Sequence, residues 1–246
     1  MASTDLNRYL LSIPLETRIV GQRLVMLDAV DSTNSYVLDR WSDGLVVVAE
    51  EQRAGRGTHG RSWDSQSGLG LWFSIGLTGP GEGLTFAAAL AVRDAFSERC
   101  ETRVKWPNDI LIGERKVCGI LVEQRNDRVA LGIGINVHHK RTDFPAELAE
   151  SAGSLVSETG KDWSRAEVLR NILTRLDAKV SLLREGGLES VWHDWHEACD
   201  LIDREIAWGH SQGVVREIGL SGELIVDTAN GVQRLTGGAI ALVDGD

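Results

Sequence analysis

Apolar runs of strand length recur through the first part of the chain and predict a β-sheet. They cover residues 24–27, 45–49, 71–77, 104–112, 116–124 and 129–137. The fourth run is interrupted by Pro107. Short turns at residues 113–115 and 125–128 join the last three runs, which favours an antiparallel meander.

Apolar residues at helical spacing appear between and after these runs. Residues 84–98 carry an alanine-rich apolar face that can pack closely on a sheet. A capping box at residues 164–167 opens a predicted helix that ends near Arg184, and a second helix is predicted over residues 188–198. The polar cluster at residues 31–35 either caps a short helix or contacts a ligand, since both roles use groups displayed at a helix N-terminus.

From about residue 203 the pattern changes to short strands separated by glycine-containing turns. These strands cover residues 205–208, 213–218, 223–226 and 233–243. They predict a small all-β barrel, which is too small to stand well alone and is expected to pack on the main domain. The predicted fold is therefore α+β, with a mixed, mostly antiparallel sheet packed with helices at residues 1–200 and a barrel at residues 201–246.

Composition narrows the class of partner. The formal charge of −10 over 246 residues argues against a general nucleic-acid binder or membrane-surface binder, and no DNA or membrane partner is expected. Three cysteines show neither metal-ligand spacing nor a paired framework, which is typical of free thiols in a reducing cytosol. The N-terminus lacks a signal-peptide pattern, so a cytoplasmic location is predicted.

A glycine-rich basic loop, residues 52–63, follows the strand predicted at residues 45–49. Its glycines let backbone N–H groups approach an anion, and Arg56 and Arg61 add planar charged forks. A Rossmann loop should open a helix, whereas a strand is predicted at residues 71–75, and a Walker loop needs a Gly-Lys-Ser/Thr ending that is absent. Taken alone, the loop is either an anion site or an ordinary solvated turn.

Three further motifs accompany this loop and the polar cluster at residues 31–34. They are Lys105-Trp106-Pro107-Asn108-Asp109, Lys116-Val117-Cys118-Gly119-Ile120-Leu121-Val122-Glu123 and Gly132-Ile133-Gly134-Ile135-Asn136-Val137. Together the five motifs resemble the catalytic module of biotin protein ligases, in the same order. The resemblance implies a class II synthetase-like biotin/lipoate ligase fold with an SH3-like C-terminal barrel.

The resemblance also implies a reaction. Biotin's carboxylate is activated with ATP to biotinyl-5'-adenylate, and biotin is then transferred to a lysine of a biotin carboxyl carrier protein, such as that of acetyl-CoA carboxylase. Because two anions must meet, the site needs fixed positive charge. Lys116, Arg56 and Asp109 are the expected catalytic residues: Lys116 bridges biotin and phosphate oxygens, Arg56 clamps them, and Asp109 binds Mg²⁺.

Matching motif positions imply two sets of binding residues. The biotin set is Ser32, Thr33, Asn34, Gln52, Gly55, Arg56, Gly57, Thr58, Lys116, Gly119, Gly132 and Gly134. The ATP or adenylate set is Arg56, Arg61, Trp63, Asn108 and Asn136. The glycines in the last strands are open to a second interpretation as strand bulges.

The loop departs from the family pattern at Thr58, where family members usually carry an arginine. We expect looser retention of the adenylate, unless His59 or Arg53 compensates. Bifunctional members place a DNA-binding helix-turn-helix before the ligase module. The first strand near Leu24 and the acidic charge predict the single-function form, without a repressor role.

Alternatives differ in substrate or in chemistry. Lipoate and octanoate ligases share the fold, but the polar residues 32–34 with Gln52 favour a ureido ring over a plain acyl chain. A silent biotin sensor would not need Lys116, Asp109 and Arg56. Oligomeric state is open between a monomer and a homodimer paired through an exposed edge strand.

Overall fold

A computed structural model describes Leu6 and residues 14–243 of the chain. Its main sheet has seven strands in the order β1-β2-β3-β7-β6-β5-β4. The strands are β1 (Arg23–Val30), β2 (Leu45–Gln52), β3 (Gly70–Thr78), β4 (Arg103–Lys105), β5 (Asp109–Ile112), β6 (Arg115–Arg125) and β7 (Arg128–Asn136). Strands β1 and β2 are parallel and all other neighbours are antiparallel, which confirms the predicted mixed, mostly antiparallel sheet.

Five α-helices accompany this sheet within the described residues: α1 (Thr33–Asp39), α2 (Leu84–Phe96), α3 (Leu155–Thr159), α4 (Arg165–Gly186) and α5 (Glu189–Cys199). Ser32 caps α1, since its side-chain oxygen accepts a hydrogen bond from the Ser35 N–H. Ser164 caps α4 in the same way through the Glu167 N–H. No helix among the described residues is long and apolar enough to cross a membrane.

Alternating side chains of β2 pack into two different hydrophobic clusters. Val46 and Val48 join the main core, which also contains the apolar faces of α2 and α4. Val47 packs on the opposite face with Val37 of α1. Since successive strand residues point to opposite faces, the sheet is covered on one face by α2, α4 and α5 and on the other by the short α1.

The C-terminal strands form a separate antiparallel sheet in the order β11-β10-β9-β8-β12. They are β8 (Glu205–Trp208), β9 (Ser211–Ile218), β10 (Leu224–Thr228), β11 (Gly231–Leu235) and β12 (Ala241–Leu242). The run predicted at residues 233–243 is thus two strands, separated by the Gly237-Gly238 turn. The buried residues of the C-terminal sheet belong to the same core cluster as those of the main sheet, so the C-terminal sheet packs on the main domain as expected.

The segment just before β1 is hydrogen-bonded to α4. The backbone N–H groups of Arg18, Ile19 and Val20 donate to the Asp177 carboxylate at 3.0, 2.7 and 2.7 Å. The sequence also carries an apolar cluster at residues 10–15, of which residues 10–13 lie outside the described residues.

A buried ion pair joins β2 to α4. Arg165 Nη1 lies 2.8 Å from Glu50 Oε2, and the two side chains are only 5% and 7% exposed. Arg165 also donates to the Gly70 carbonyl at 3.2 Å. The pair therefore fixes the end of β2 that precedes the glycine-rich loop and the start of β3 that follows it.

Glu50→Ala is expected to lower the free energy of unfolding by about 3–5 kcal/mol, because it leaves the Arg165 charge buried without its carboxylate. Urea unfolding followed by circular dichroism measures this. Glu51→Ala is the matched control, since Glu51 forms no ion pair with a described residue, and it should cost less than about 1 kcal/mol. Equal losses of unfolding free energy in the two variants would contradict a stabilising role of the Glu50–Arg165 ion pair.

Candidate active site

Small residues line the α1 face of the main sheet. Gly132 and Gly134 of β7 stand beside Ser74 and Trp72 of β3, and Gly119 of β6 pairs with Gly134. Because these glycines carry no side chains, the face has a depression that α1 covers at one end only. The glycines lie in regular antiparallel register, which favours their space-making role over the strand-bulge interpretation.

A hydrogen-bonded polar wall closes the α1 end of this depression. Gln52 Oε1 accepts hydrogen bonds from the Thr33 N–H and from Thr33 Oγ1, both at 2.9 Å. Ser74 Oγ lies 2.6 Å from Thr33 Oγ1 and 2.6 Å from Asn34 Oδ1. Gln52 Nε2 donates to Ser65 Oγ at 2.9 Å. The wall is thus fixed in orientation before any ligand arrives.

Two glycines of the sheet are in close contact with Trp63. A Cβ added at Gly134 would lie 2.6 Å from Trp63 Nε1, and one added at Gly119 would lie 2.8 Å from Trp63 Cζ3. The tryptophan comes from the end of the glycine-rich loop, where its backbone N–H donates to the Gly55 carbonyl at 2.9 Å. The indole therefore lies across the sheet in the space that the missing side chains leave.

The loop itself is a tight hairpin. Gly57 N–H donates to the Arg61 carbonyl at 2.8 Å, and Arg56 and Ser62 form an isolated antiparallel bridge. Its tip, Thr58–Gly60, is a 3₁₀ turn in which His59 has a φ of 56°. A Cβ added at Gly237 would lie 3.7 Å from the His59 ring, so the β11–β12 turn of the C-terminal sheet reaches the tip of this loop.

Two cations of the site, Lys116 and Arg56, are paired with carboxylates. Lys116 Nζ lies 2.7 Å from Asp109 Oδ1, across the β5–β6 pairing. Arg56 Nη2 lies 2.8 Å from Glu123 Oε2. By contrast, Arg61 makes no ion pair within 4.0 Å with any residue that the structure describes.

Two cavities meet at the loop. The inner cavity is lined by Ser32, Thr33, Asn34, Gln52, Arg56, Gly57, Thr58, Trp63, Phe73, Asn108, Lys116, Gly119, Ile120, Leu121, Gly132, Ile133 and Gly134. The outer cavity is lined by residues that include Arg61, Lys105, Asp109, Asn136, His139 and Phe144. Gly57, Thr58, Trp63 and Lys116 line both cavities. Ligands bound in the two cavities would therefore both lie against these four residues.

The structure brings together nearly all of the residues expected from the sequence. Every predicted site residue except Gly55 lines one cavity or both. Gly55 lines neither cavity, and a Cβ added at this position would lie 2.4 Å from the Trp63 carbonyl oxygen. Asn108 and Asn136 also have structural partners, since their side-chain amides donate to the Ile120 and Gly153 carbonyls at 2.7 and 3.0 Å.

Sequence reasoning missed His139 of the outer cavity. This imidazole is 2% exposed, stacks on Phe144 with ring centroids 4.9 Å apart, and has no hydrogen-bond partner for Nδ1 among the described residues. Burial lowers the pKa of His139 and outweighs the nearby negative charges of Asp64 and Asp143, which raise it. The buried ring therefore favours its neutral form, with Phe144 stacked on one face and Nδ1 unpartnered among the described residues. In the sequence, His139 is only the second of two adjacent histidines after a strand, which gave no signal of a site.

Comparison with known proteins identifies the family. The model of the Biotin/lipoate A/B protein ligase family matches residues 26–139. The chain is 34% identical to Biotin–[acetyl-CoA-carboxylase] ligase of Mycobacterium tuberculosis over 72% of this chain and 74% of that protein. It is 33% identical to Bifunctional ligase/repressor BirA of Bacillus spizizenii over 93% of this chain and 76% of that protein.

The chain belongs to the biotin protein ligase family. Among solved biotin protein ligases, the one from Aquifex aeolicus in complex with biotin and ATP superimposes with a TM-score of 0.78. The sequences are 31% identical, and the match covers 91% of this chain and all of the other. This match confirms the α+β fold of the biotin protein ligases for this chain. The described residues include a C-terminal β-sheet as well as the main sheet.

Gly134→Ala is expected to weaken biotin binding about tenfold or more, because the added methyl group forces Trp63 out of the space between the two cavities. Isothermal titration calorimetry with biotin measures the effect. Gly186→Ala at the end of α4 is the control, since its added Cβ meets only the Ser190 side chain, and biotin affinity should not change. Unaltered affinity in Gly134→Ala would show that the Trp63 contact is unimportant for the site.

Proposed function

We propose that this chain catalyses the ATP-dependent attachment of biotin to a carrier lysine in two steps. In the first, a carboxylate oxygen of biotin attacks the α-phosphorus of ATP; an O–P bond forms, the bond to the β-phosphate oxygen breaks, and pyrophosphate leaves. In the second, a carrier lysine's amine attacks the acyl carbon, an amide forms and AMP leaves. The observation that carries this proposal is the meeting of two cavities at Lys116.

The inner cavity suits biotin. Its closed end offers the fixed donors and acceptors of Ser32, Thr33, Asn34 and Gln52, which match a ureido ring. Its walls beside Gly119, Gly132 and Gly134 are narrow and suit an aliphatic tail. A dithiolane or plain acyl chain would leave the remaining hydrogen-bonding capacity of this polar wall unused, at a cost in binding free energy.

The outer cavity suits the nucleotide. Its cations, Arg61, Lys105 and the shared Lys116, face the position where phosphates would reach the biotin carboxylate. The stacked rings of His139 and Phe144 offer an apolar surface for a base. Lys116 is the residue placed to contact oxygens of both substrates, which is the catalytic role expected for it.

Mg²⁺ would accompany ATP. Asp109 presents one carboxylate to the outer cavity, and no group of three or more potential ligands occurs among residues 14–243. This donor set fits Mg²⁺, which is commonly held by one or two carboxylates together with substrate phosphates. The metal would neutralise phosphate charge, and Asp109 would have to release Lys116 to bind it.

The assignment of Arg56 as an anion clamp carries a condition. Arg56 lines the inner cavity, but its guanidinium is bound to Glu123. A clamp role therefore requires that this ion pair opens when biotin enters.

Other parts of the proposal rest on the family and await tests. The carrier is proposed to be a biotin carboxyl carrier protein, and the boundary between the ligase domain and the C-terminal barrel is placed at residues 200 and 201. From the sequence, we predict that the protein is a monomer or a homodimer, that it is located in the cytoplasm and that it does not bind DNA.

Pyrophosphate exchange into ATP tests the first step, with Mg²⁺ present and biotin, lipoate or octanoate supplied separately. We expect exchange with biotin alone. Lys116→Met should lower this exchange about 100-fold or more, because it removes a charge from the reacting oxygens. Lys161→Met, a cation outside both cavities, should exchange at the normal rate. A folded protein that is silent with all three acids would overturn the enzyme assignment.

Thr58→Arg is expected to lower the release of free biotinyl-adenylate during turnover about tenfold, because an added charge-assisted hydrogen bond strengthens the loop's hold on the intermediate. Chromatographic measurement of adenylate in the medium, without carrier, provides the test. His59→Ala tests compensation by the neighbouring residue. Equal release from the Thr58→Arg variant and the unaltered protein would contradict the expectation.

A further inference from the structure

Glu123 of β6 is the partner of the loop arginine. Arg56 Nη2 lies 2.8 and 3.1 Å from Glu123 Oε2 and Oε1, and Arg56 Nε lies 3.3 Å from Oε1. Arg56 Nη2 also donates to Ser35 Oγ of α1 at 3.0 Å. This two-oxygen contact holds the guanidinium in one orientation, which a single-point contact would not do.

The same carboxylate holds the polar wall of the inner cavity. Asn34 Nδ2 donates to Glu123 Oε2 at 2.8 Å, while Asn34 Oδ1 accepts from Ser74 Oγ. Asn34 has little freedom to turn, since a Cβ added at Gly132 would lie 2.5 Å from its Oδ1. Glu123 thus connects a 4% exposed amide to a loop cation whose side chain is 40% exposed.

We propose that Glu123 is a positioning residue for the acid substrate, which latches the glycine-rich loop to β6 and α1 through Arg56 and orients Asn34. The latch acts on the inner cavity, because Asn34, Arg56 and Gly57 all line it. On this proposal the guanidinium of Arg56 stays with Glu123 when biotin binds, and the biotin carboxylate is left to Lys116. The inference rests on the proposed function for the identity of the ligand.

Glu123→Ala is expected to raise the Kd for biotin about tenfold, since it removes a carboxylate that binds both Asn34 and Arg56. Glu123→Gln should give a smaller rise, because a neutral amide oxygen still accepts one hydrogen bond. The KM for ATP and the kcat of exchange should change less than about threefold, since neither Glu123 nor Asn34 lines the outer cavity. An equal rise in the constants for both substrates would indicate a general structural defect and overturn the proposal.

Asp43→Asn is the matched control. Asp43 also pairs side-on with an arginine, Arg184, at 2.8 Å, and the two side chains are 40% and 35% exposed. Neither residue lines the two cavities. The Asp43→Asn substitution removes a comparable ion pair and should leave the Kd for biotin unaltered.

Biotin methyl ester separates a latch from a clamp. The ester keeps the ring and tail but lacks the negative charge. If Arg56 is a latch, Glu123→Ala weakens binding of biotin and of the ester by the same factor. If Glu123 instead competes with biotin for Arg56, Glu123→Gln frees the guanidinium, and biotin binds more tightly while the ester does not. That second result would overturn the proposal.

The charge-exchanged pair gives an independent test. Arg56→Glu and Glu123→Arg should each weaken biotin binding, and the double variant should recover at least about threefold, because the two side chains can pair again in reverse. A double variant as weak as Arg56→Glu alone would show that the guanidinium itself is needed at the ligand.

Limited trypsin digestion measures the latch without any ligand. Glu123→Ala should be cleaved after Arg61 several times faster than the unaltered protein or Asp43→Asn, as mass spectrometry of the fragments will show. Unchanged cleavage would overturn the latch. Biotin-dependent exchange by the unaltered protein tests the proposed function separately, so the two failures are distinguishable.

Discussion

The site depends on the absence of side chains at one place in the sheet. Gly119, Gly132 and Gly134 lie on the α1 face of β6 and β7, where side chains would otherwise fill the space. Glycine weakens a strand by about 0.5–1 kcal/mol relative to alanine. The opposite face, buried beneath α2 and α4, offsets this cost, so that a depression can exist on a sheet that remains rigid.

Two side chains use this depression in different ways. Trp63 lies over Gly119 and Gly134 and separates the inner cavity from the outer one, while Asn34 lies over Gly132 and closes the inner end. Both contacts join segments far apart in the chain to β7. The glycine-rich loop and α1 are therefore positioned by the same strand, and this brings the polar wall and the loop into one site.

The C-terminal sheet has a structural part in the same arrangement. Trp106 Nε1 donates to the Gly222 carbonyl at 2.6 Å, and Trp106 lies two residues before Asn108 and three before Asp109. Packing of the C-terminal sheet thus fixes the turn that presents Asp109 to the outer cavity. Its β11–β12 turn also reaches His59. The C-terminal sheet therefore contacts both the turn before Asp109 and the tip of the glycine-rich loop.

Local patterns predicted more of this molecule than long-range contacts did. The strands, the helices and the Ser32 and Ser164 caps depend on nearby residues, and the motifs marked the residues that line the cavities. The parallel pairing of β1 with β2 and the sheet order required the folded chain. Glu123 was visible as the last residue of a family motif, but no role could be given to it because its partner Arg56 lies 67 positions away. The same separation hid that Arg56 is already paired with a carboxylate.

The pairing of the site's cations with carboxylates has a physical consequence. In a chain of charge −10, Arg56 and Lys116 would attract nearby carboxylates in any case. Fixed pairing with Glu123 and Asp109 holds both cations at defined positions and prevents less specific contacts. An incoming anion then exchanges one charge-assisted contact for another, so its binding gains selectivity from geometry more than from net charge.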